Sequence, residues 1–204
     1  MVVNFYRQCQ SNFEALQARI LETPHSRSVH NDAWVMYSNS HLFSELDCAW
    51  AFWTLSVQSR NSIMSSSWTC SNSDTKISNK VRNKKAAFLI EMQERLDQVQ
   101  IESRDALNVI DVRKELPDAF FYVDPPYFNS NMGHYGGYTV QDFENLLVKL
   151  TEIKGKFLLS SYPSDLLNEY SKRFKWYSRT FEMNISASGK GKRKVEVLTS
   201  NFPI

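Results

Sequence analysis

The stretch Ala119-Phe120-Phe121-Tyr122-Val123-Asp124-Pro125-Pro126-Tyr127 constrains the fold of this chain more than any other. Apolar and aromatic residues run without a break and stop at an acid, two prolines and a tyrosine. A short continuous run of this kind reads as a strand buried on both faces. Proline cannot extend it, because it lacks an N–H and fixes its own φ. Asp124 to Tyr127 therefore belong to a stiff loop at the carboxyl end of a central strand, the edge at which open α/β sheets bind ligands.

The remainder reads as support for that loop. Val3, Tyr6, Phe13, Leu16 and Ile20 predict a helix over 1–21, ended by Thr23-Pro24. Residues 25–95 are rich in serine and asparagine and are punctuated by Trp34, Trp50, Trp53 and Trp68. Within them a helix is expected over 42–57, a loop over 59–79, and a further helix from about Asn79 with Val81, Ala86, Phe88, Leu89, Met92 and Leu96 as its apolar positions. Val99 to Glu102 alternates like a short strand. Asn129 to Tyr138 reads as a mobile glycine-bearing loop, and Thr139 with Asp142 as a variant capping box. Phe143, Leu146, Leu147, Leu150 and Ile153 form the buried stripe of the next helix, with Gly155 as its stop. Lys156 to Tyr162 is a second buried strand, Pro163 suits the first position of another helix, and 176–185 with 195–202 alternate as paired strands. Strand, helix, strand, helix and a terminal hairpin make an α/β fold with a mixed sheet edge.

Composition narrows the function classes. A chain of 204 residues with 42% apolar and 13% aromatic content builds a core as one domain, or as one domain with an insertion. No apolar run reaches the eighteen or so residues that span a bilayer, and residues 1–10 carry no signal-peptide pattern. Three widely spaced cysteines (Cys9, Cys48, Cys70) point to a reduced, cytoplasmic protein with buried thiols. His25, His30, His41 and His134 show no ligand spacing, so no metal site is expected. Ser160 and Ser161 lack a glycine elbow, which argues against a hydrolase nucleophile.

Net charge is only +2, but the positive charge is clustered. Lys76, Lys80, Arg82, Lys84 and Lys85 share a segment without an acid, and Lys190, Lys192, Arg193 and Lys194 form a second cluster. Either alone reads as solvated surface; together they make a candidate polyanion contact. All six glycines lie at or after Gly133. A nucleotide-type cofactor usually meets a glycine-rich turn after a first strand, and none precedes the Asp-Pro-Pro-Tyr loop.

The chemistry of that loop suits an exocyclic amine of a nucleobase, whose lone pair is delocalised into the ring. Two acceptors, the Asp124 carboxylate and the Pro125 carbonyl, could hold both N–H groups and aim the lone pair outward. The prolines remove competing donors and backbone freedom. Tyr127 offers a flat face for a base taken out of its duplex. Asp124 would then act by orientation more than by proton abstraction. By chance a specified Asp-Pro-Pro-Tyr arises in roughly one chain in a thousand of this length.

These features resemble the Dam-type, DPPY-class adenine-N6 DNA methyltransferases. The resemblance runs from Val2-Val3-Asn4-Phe5-Tyr6 through Val123 to Tyr127, the Gly-Tyr-Thr helix start and Phe157 to Tyr162, and ends with Lys192 to Phe202. It implies a Rossmann-like methyltransferase fold that uses S-adenosyl-L-methionine, with residues 1–24 and 96–204 as the catalytic domain and 25–95 as a target-recognition insertion. It implies base flipping in double-stranded DNA, with Asp124, Pro125, Pro126 and Tyr127 catalytic and Asp105 and Asp124 at the cofactor. Lys76, Lys80, Arg82, Lys84, Lys85, Lys192 and Arg193 would face DNA. Asp105 reads equally well as a loop or capping acid. The family's first strand, glycine loop and second strand have no counterpart here. An N-terminally truncated gene model is the favoured expectation, beside an N-terminal half supplied by another chain and a decayed, non-catalytic DNA-binding remnant. Without that first strand, the strand under Asp124 should lie exposed at the sheet edge.

Overall fold

A computed structural model describes residues 1–70, 76–129, 137–184 and 193–204. Residues 130–136 of the glycine-bearing loop expected over 129–138 and the basic turn with Lys192 lie outside the described residues, as do the side chains of Lys76 and Arg193. The chain forms two compact units, Met1–Ser103 and Arg104–Ile204.

The first unit is helical: α1 (Val2–Ser11), α2 (Phe13–Glu22), α3 (Arg27–Ser38), α4 (Glu45–Gln58), α5 (Lys76–Ala86) and α6 (Glu91–Leu96). The expected first helix is broken at Asn12, whose φ of −146° leaves the helical region, so α1 and α2 are separate rods. Helix α4 is the axle. Ser44 and Asp47 close a capping box at its start, and Ala49, Trp50, Ala51, Trp53 and Leu55 are buried along it. Phe5, Phe13 and Phe88 pack around it, with the Phe13 and Phe88 rings stacked at 5.0 Å. Arg19 of α2 pairs with Asp47 and lies over the Trp50 ring. Three further expectations fail here. The single helix expected from about Asn79 through Leu96 is split into α5 and α6, and its Ala86 and Leu89 are exposed. Residues 99–102 form no strand; Val99 is left as coil, and its carbonyl accepts from Gln10 Nε2 at 3.1 Å. Cys9 and Cys48 are buried as expected, but Cys70 is exposed. Burial pushes the Cys9 thiol up to about 11, so it stays protonated and unreactive.

His30 is buried and hydrogen-bonded through Nε2 to Ser59 Oγ at 2.9 Å. Burial, and then the Arg27 charge, hold its pKa below the usual histidine value, against an opposing contribution from Asn31. The folded state therefore binds a proton less readily than the unfolded chain. Stability contributed by neutral His30 is complete above the unfolded pKa of about 6.5 and is lost as pH falls through it toward the lower folded value. Thermal melts between pH 7.5 and 5 should show this decline, and H30Q should flatten it.

The second unit is the sheet. It contains α7 (Ala106–Asp111), β1 (Phe120–Val123), α8 (Val140–Thr151), β2 (Lys156–Ser161), α9 (Asp165–Phe174), β3 (Tyr177–Asn184) and β4 (Arg193–Ser200). The strand order is β1-β2-β4-β3: β1 runs parallel to β2, and β4 is antiparallel to both β2 and β3. This is a mixed four-stranded sheet with helices. Thr139 and Asp142 form the expected capping box of α8, with Asp142 N donating to Thr139 Oγ1 at 3.2 Å and Thr139 N to Asp142 Oδ2 at 2.7 Å. The α8 stripe is fully in the core with Phe157, Leu159, Leu167 and Val197. Each such side chain contributes about 1.5–3 kcal/mol on burial.

Strand β1 is not buried on both faces. Phe121 and Val123 pack toward the α8 cluster, whereas Phe120 is 56% and Tyr122 61% exposed. The unbroken apolar run conceals an alternation, because aromatic side chains occupy both faces. Among the described residues β1 pairs on one side only, with β2. Two punctuation residues also differ from expectation. Ser164, not Pro163, starts α9 by accepting from Leu167 N at 3.2 Å. Helix α8 ends before Gly155, which is buried where β1 and β2 begin side by side: Lys156 N donates to Ala119 O at 2.8 Å.

Candidate functional site

The parallel register pairs Val123 with Leu159, so Asp124 leaves β1 level with Ser160 of β2. Asp124 is exposed at this edge and Ser160 is buried. Tyr127 folds back between them. Its hydroxyl lies 2.9 Å from Ser160 Oγ and donates to Asp124 Oδ1 at 3.3 Å. With that proton committed to the carboxylate, the Ser160 hydroxyl is the donor to Tyr127. The Tyr127 ring contacts Tyr162, centroids 4.4 Å apart and tilted by 56°. Burial, opposed by the Ser160 hydrogen bond and reinforced by the Asp124 and Glu196 charges, raises the phenol pKa.

The loop is fastened beyond the prolines as well. The Phe128 ring packs on Phe143 of α8 at 5.2 Å, and Asn129 Nδ2 donates to Pro163 O at 3.1 Å. A loop held at both ends, with two prolines inside it, has little freedom left to lose on binding. Its exposed face carries a carboxylate and an adjacent carbonyl.

Asp105 caps α7, its Oδ1 accepting from Leu107 N at 2.9 Å. The capping role weighed from the sequence is therefore present, and Oδ2 has no partner among the described residues. Tyr138 lies close enough for the Asp142 and Asp105 charges to act on it, and burial foremost pushes its phenol up to about 12. No direct contact joins Asp105 to Asp124 among the described residues.

In the helical unit, α5 is anchored by buried Val81, with Phe88 buried just beyond its end, and presents Lys80, Arg82 and Lys84 outward. Asn79, Lys80, Asn83, Lys84 and Ala87 line an open groove of about 600 Å³. Lys85 is set apart from this row: it is half-buried, donates to Leu21 O at 2.8 Å, and has a pKa lowered by burial. Lys80 Nζ reaches Ser62 Oγ at 3.3 Å. Asn61 and Ser62 are consecutive left-handed residues, with φ of 56° and 59°. That conformation costs of order 1–3 kcal/mol at a non-glycine residue.

Sequence reasoning found Asp124 and Tyr127 but missed what holds them. From sequence alone, Ser160 and Tyr162 read as polar residues closing the second buried strand at the same edge, with Ser160 set aside as a hydrolase nucleophile and neither tied to Tyr127. The available signal was topological: two buried strands ending at the same edge bring their terminal polar residues together.

No curated protein sequence matches the chain. The family model described as D12 class N6 adenine-specific DNA methyltransferase matches residues 2–185, a span that contains the capped Asp124 loop, its β2 neighbours and the basic α5. The chain belongs to the D12 class of N6 adenine-specific DNA methyltransferases.

Proposed function

We propose that the Asp124 loop is the site at which an adenine amine is held for methylation, and that α5 is part of the face that grips DNA. The observation that carries the first reading is the fastening of Tyr127 between Ser160 and Asp124. It leaves the exposed carboxylate oriented and a flat ring beside it. One adenine N–H would go to Asp124 Oδ2 and the other to the Pro125 carbonyl, which localises the nitrogen lone pair on the outward side. The base would stack on Tyr127 after leaving the duplex, at a cost of a few kcal/mol for unstacking. Asp124 orients the amine in this scheme, and the proton departs after transfer, when the nitrogen is cationic and acidic.

Members of this family use S-adenosylmethionine, which when bound supplies an electrophilic methyl group on a sulfonium. The donor chemistry of the residues present suits it. Asp105 has a carboxylate oxygen with no partner among the described residues, able to accept from an amine, and Asp124 lies at the strand edge where ligands collect. Asp105 and Asp124 are the residues that would hold it. A Rossmann-like methyltransferase sheet is the finer architecture we infer. The pairing of β1 on one side only among the described residues, with its exposed Phe120 and Tyr122, supports a further strand at that edge, in the same chain or from another.

For DNA, the functional division assigns recognition to residues 25–95 and catalysis to 1–24 with 96–204. The structure packs α1 and α2 in the helical unit, so the functional boundary and the compact-unit boundary differ. Lys80, Arg82 and Lys84 supply phosphate contacts. Lys85 contributes less, because its amine is held by the Leu21 carbonyl. Lys76, Lys192 and Arg193 remain in the proposal on charge alone. Removing Lys80 and Lys84 together should weaken duplex binding uniformly across sequences and lower the slope of log K against log salt by about two, one per phosphate contact. The base-holding site is tested with a duplex carrying 2-aminopurine at a target adenine. Y127A should lose the fluorescence change that stacking produces, and an unaltered signal would reject the site.

A further inference from the structure

We infer that Ser160 is a positioning residue for the methyl-transfer site, acting through Tyr127 on Asp124, with Tyr162 as the wall that fixes the Tyr127 ring. This rests on the reading that the Asp124 loop holds the target amine. The geometry forms a short relay of hydroxyls. Ser160 Oγ, 6% exposed, donates to the Tyr127 oxygen at 2.9 Å, and the Tyr127 hydroxyl donates to Asp124 Oδ1 at 3.3 Å. One carboxylate oxygen of the exposed Asp124 is thereby occupied, which leaves the other to accept from an incoming amine.

The arrangement has a reason in the fold. Parallel pairing of β1 and β2 puts Asp124 and Ser160 side by side at the strand ends. Ser160 cannot drift, since its strand is also paired to β4, Ser160 opposite Leu198. Tyr127, in the loop, has no ladder of its own and takes its position from what it touches. Those contacts include Ser160 and Asp124 at its hydroxyl and Tyr162 at its ring, 4.4 Å away. A buried hydroxyl without this partner would leave a polar group unsatisfied, so the relay is also what makes a serine tolerable at this position.

A double-mutant cycle with S160A, S160T and Y127F tests the relay. S160A should lower kcat for adenine methylation about five- to tenfold, the worth of one hydrogen bond, with KM for DNA nearly unchanged. S160T, which keeps the hydroxyl, should restore it. In a Y127F background S160A should have no further effect, because the relay is already cut. A second readout needs no activity: ultraviolet titration of the phenols should show one high-pKa tyrosine moving further up in S160A, since the Ser160 hydrogen bond favours the phenolate. That tyrosine should vanish in Y127F. Additive losses in the cycle, or an unmoved titration, would overturn the relay. If the parent protein methylates nothing while the titration shifts as described, the relay stands and it is the methyl-transfer reading that fails.

Discussion

Replacing Asp124 with alanine is expected to reduce adenine methylation by about three orders of magnitude, the scale lost when a preorganised polar group at a reacting centre is removed. The loss should fall on kcat, with duplex affinity preserved, because the basic residues proposed to meet phosphates lie on other elements. The physical reason is the poor nucleophilicity of a conjugated amine. Its lone pair becomes available only when both hydrogens are held away from the ring plane, and Asp124 is the one charged acceptor in its loop. D124N is the sharper test. It keeps the volume and the Tyr127 hydrogen bond to Oδ1, but an amide nitrogen placed at the second position meets the amine with donors instead of an acceptor. It should therefore be nearly as inactive as D124A. Product quantified against time for the parent and both variants decides the matter, and activity within tenfold of the parent in D124N would remove Asp124 from the mechanism.

The second large effect is structural. A methyl group on Gly155 would meet the carbonyl oxygen of Ala119 in hard contact and stand 2.9 Å from that of Leu116. Both obstacles are backbone, and neither can rotate aside. The neighbouring hydrogen bonds are fixed too: Lys154 N to Lys114 O at 2.8 Å, Lys156 N to Ala119 O at 2.8 Å, and Asn201 Nδ2 to Gly155 O at 2.9 Å. G155A should cost about 3 kcal/mol, the upper range for overpacking, and lower the melting temperature of the sheet unit on the order of 10 °C. Relief requires the starts of β1 and β2 to separate, which shifts Asp124 relative to Ser160. Methylation measured well below the melt should fall as well. A G155A protein with unchanged melting would show that the strands yield more easily than their hydrogen bonds suggest.

Periodic features were legible in the sequence. The α8 stripe, its capping box and the pairing of β3 with β4 follow from residue spacing, and all three are present in the structure; the inside–outside alternation expected of β3 is not, since Tyr177 to Glu182 are exposed throughout. Features set by tertiary context were not. Gly155 follows a helix and so resembles a helix stop, but its need for no side chain comes from Ala119 and Leu116, distant in sequence. Phe120 and Tyr122 are as apolar as Phe121 and Val123, and only the position of β1 at the sheet edge separates the exposed pair from the packed one. The break at Asn12 is not legible in the sequence because apolar spacing continues across it.

The motif at the site was legible for a different reason: Asp-Pro-Pro-Tyr after an apolar run is rare by chance and chemically pointed. Its supports were hidden because Ser160 and Tyr162 carry no motif of their own and matter only through strand order. Lys85 illustrates the converse. It is charged like its neighbours, but the end of α2 claims it.

The most direct test of the central claim is nucleoside mass spectrometry of duplex DNA incubated with the protein and isotopically labelled S-adenosylmethionine. The account predicts label in N6-methyldeoxyadenosine, and its loss with D124N. Label on cytosine, or none on adenine under conditions where the protein binds both duplex and cofactor, would contradict it.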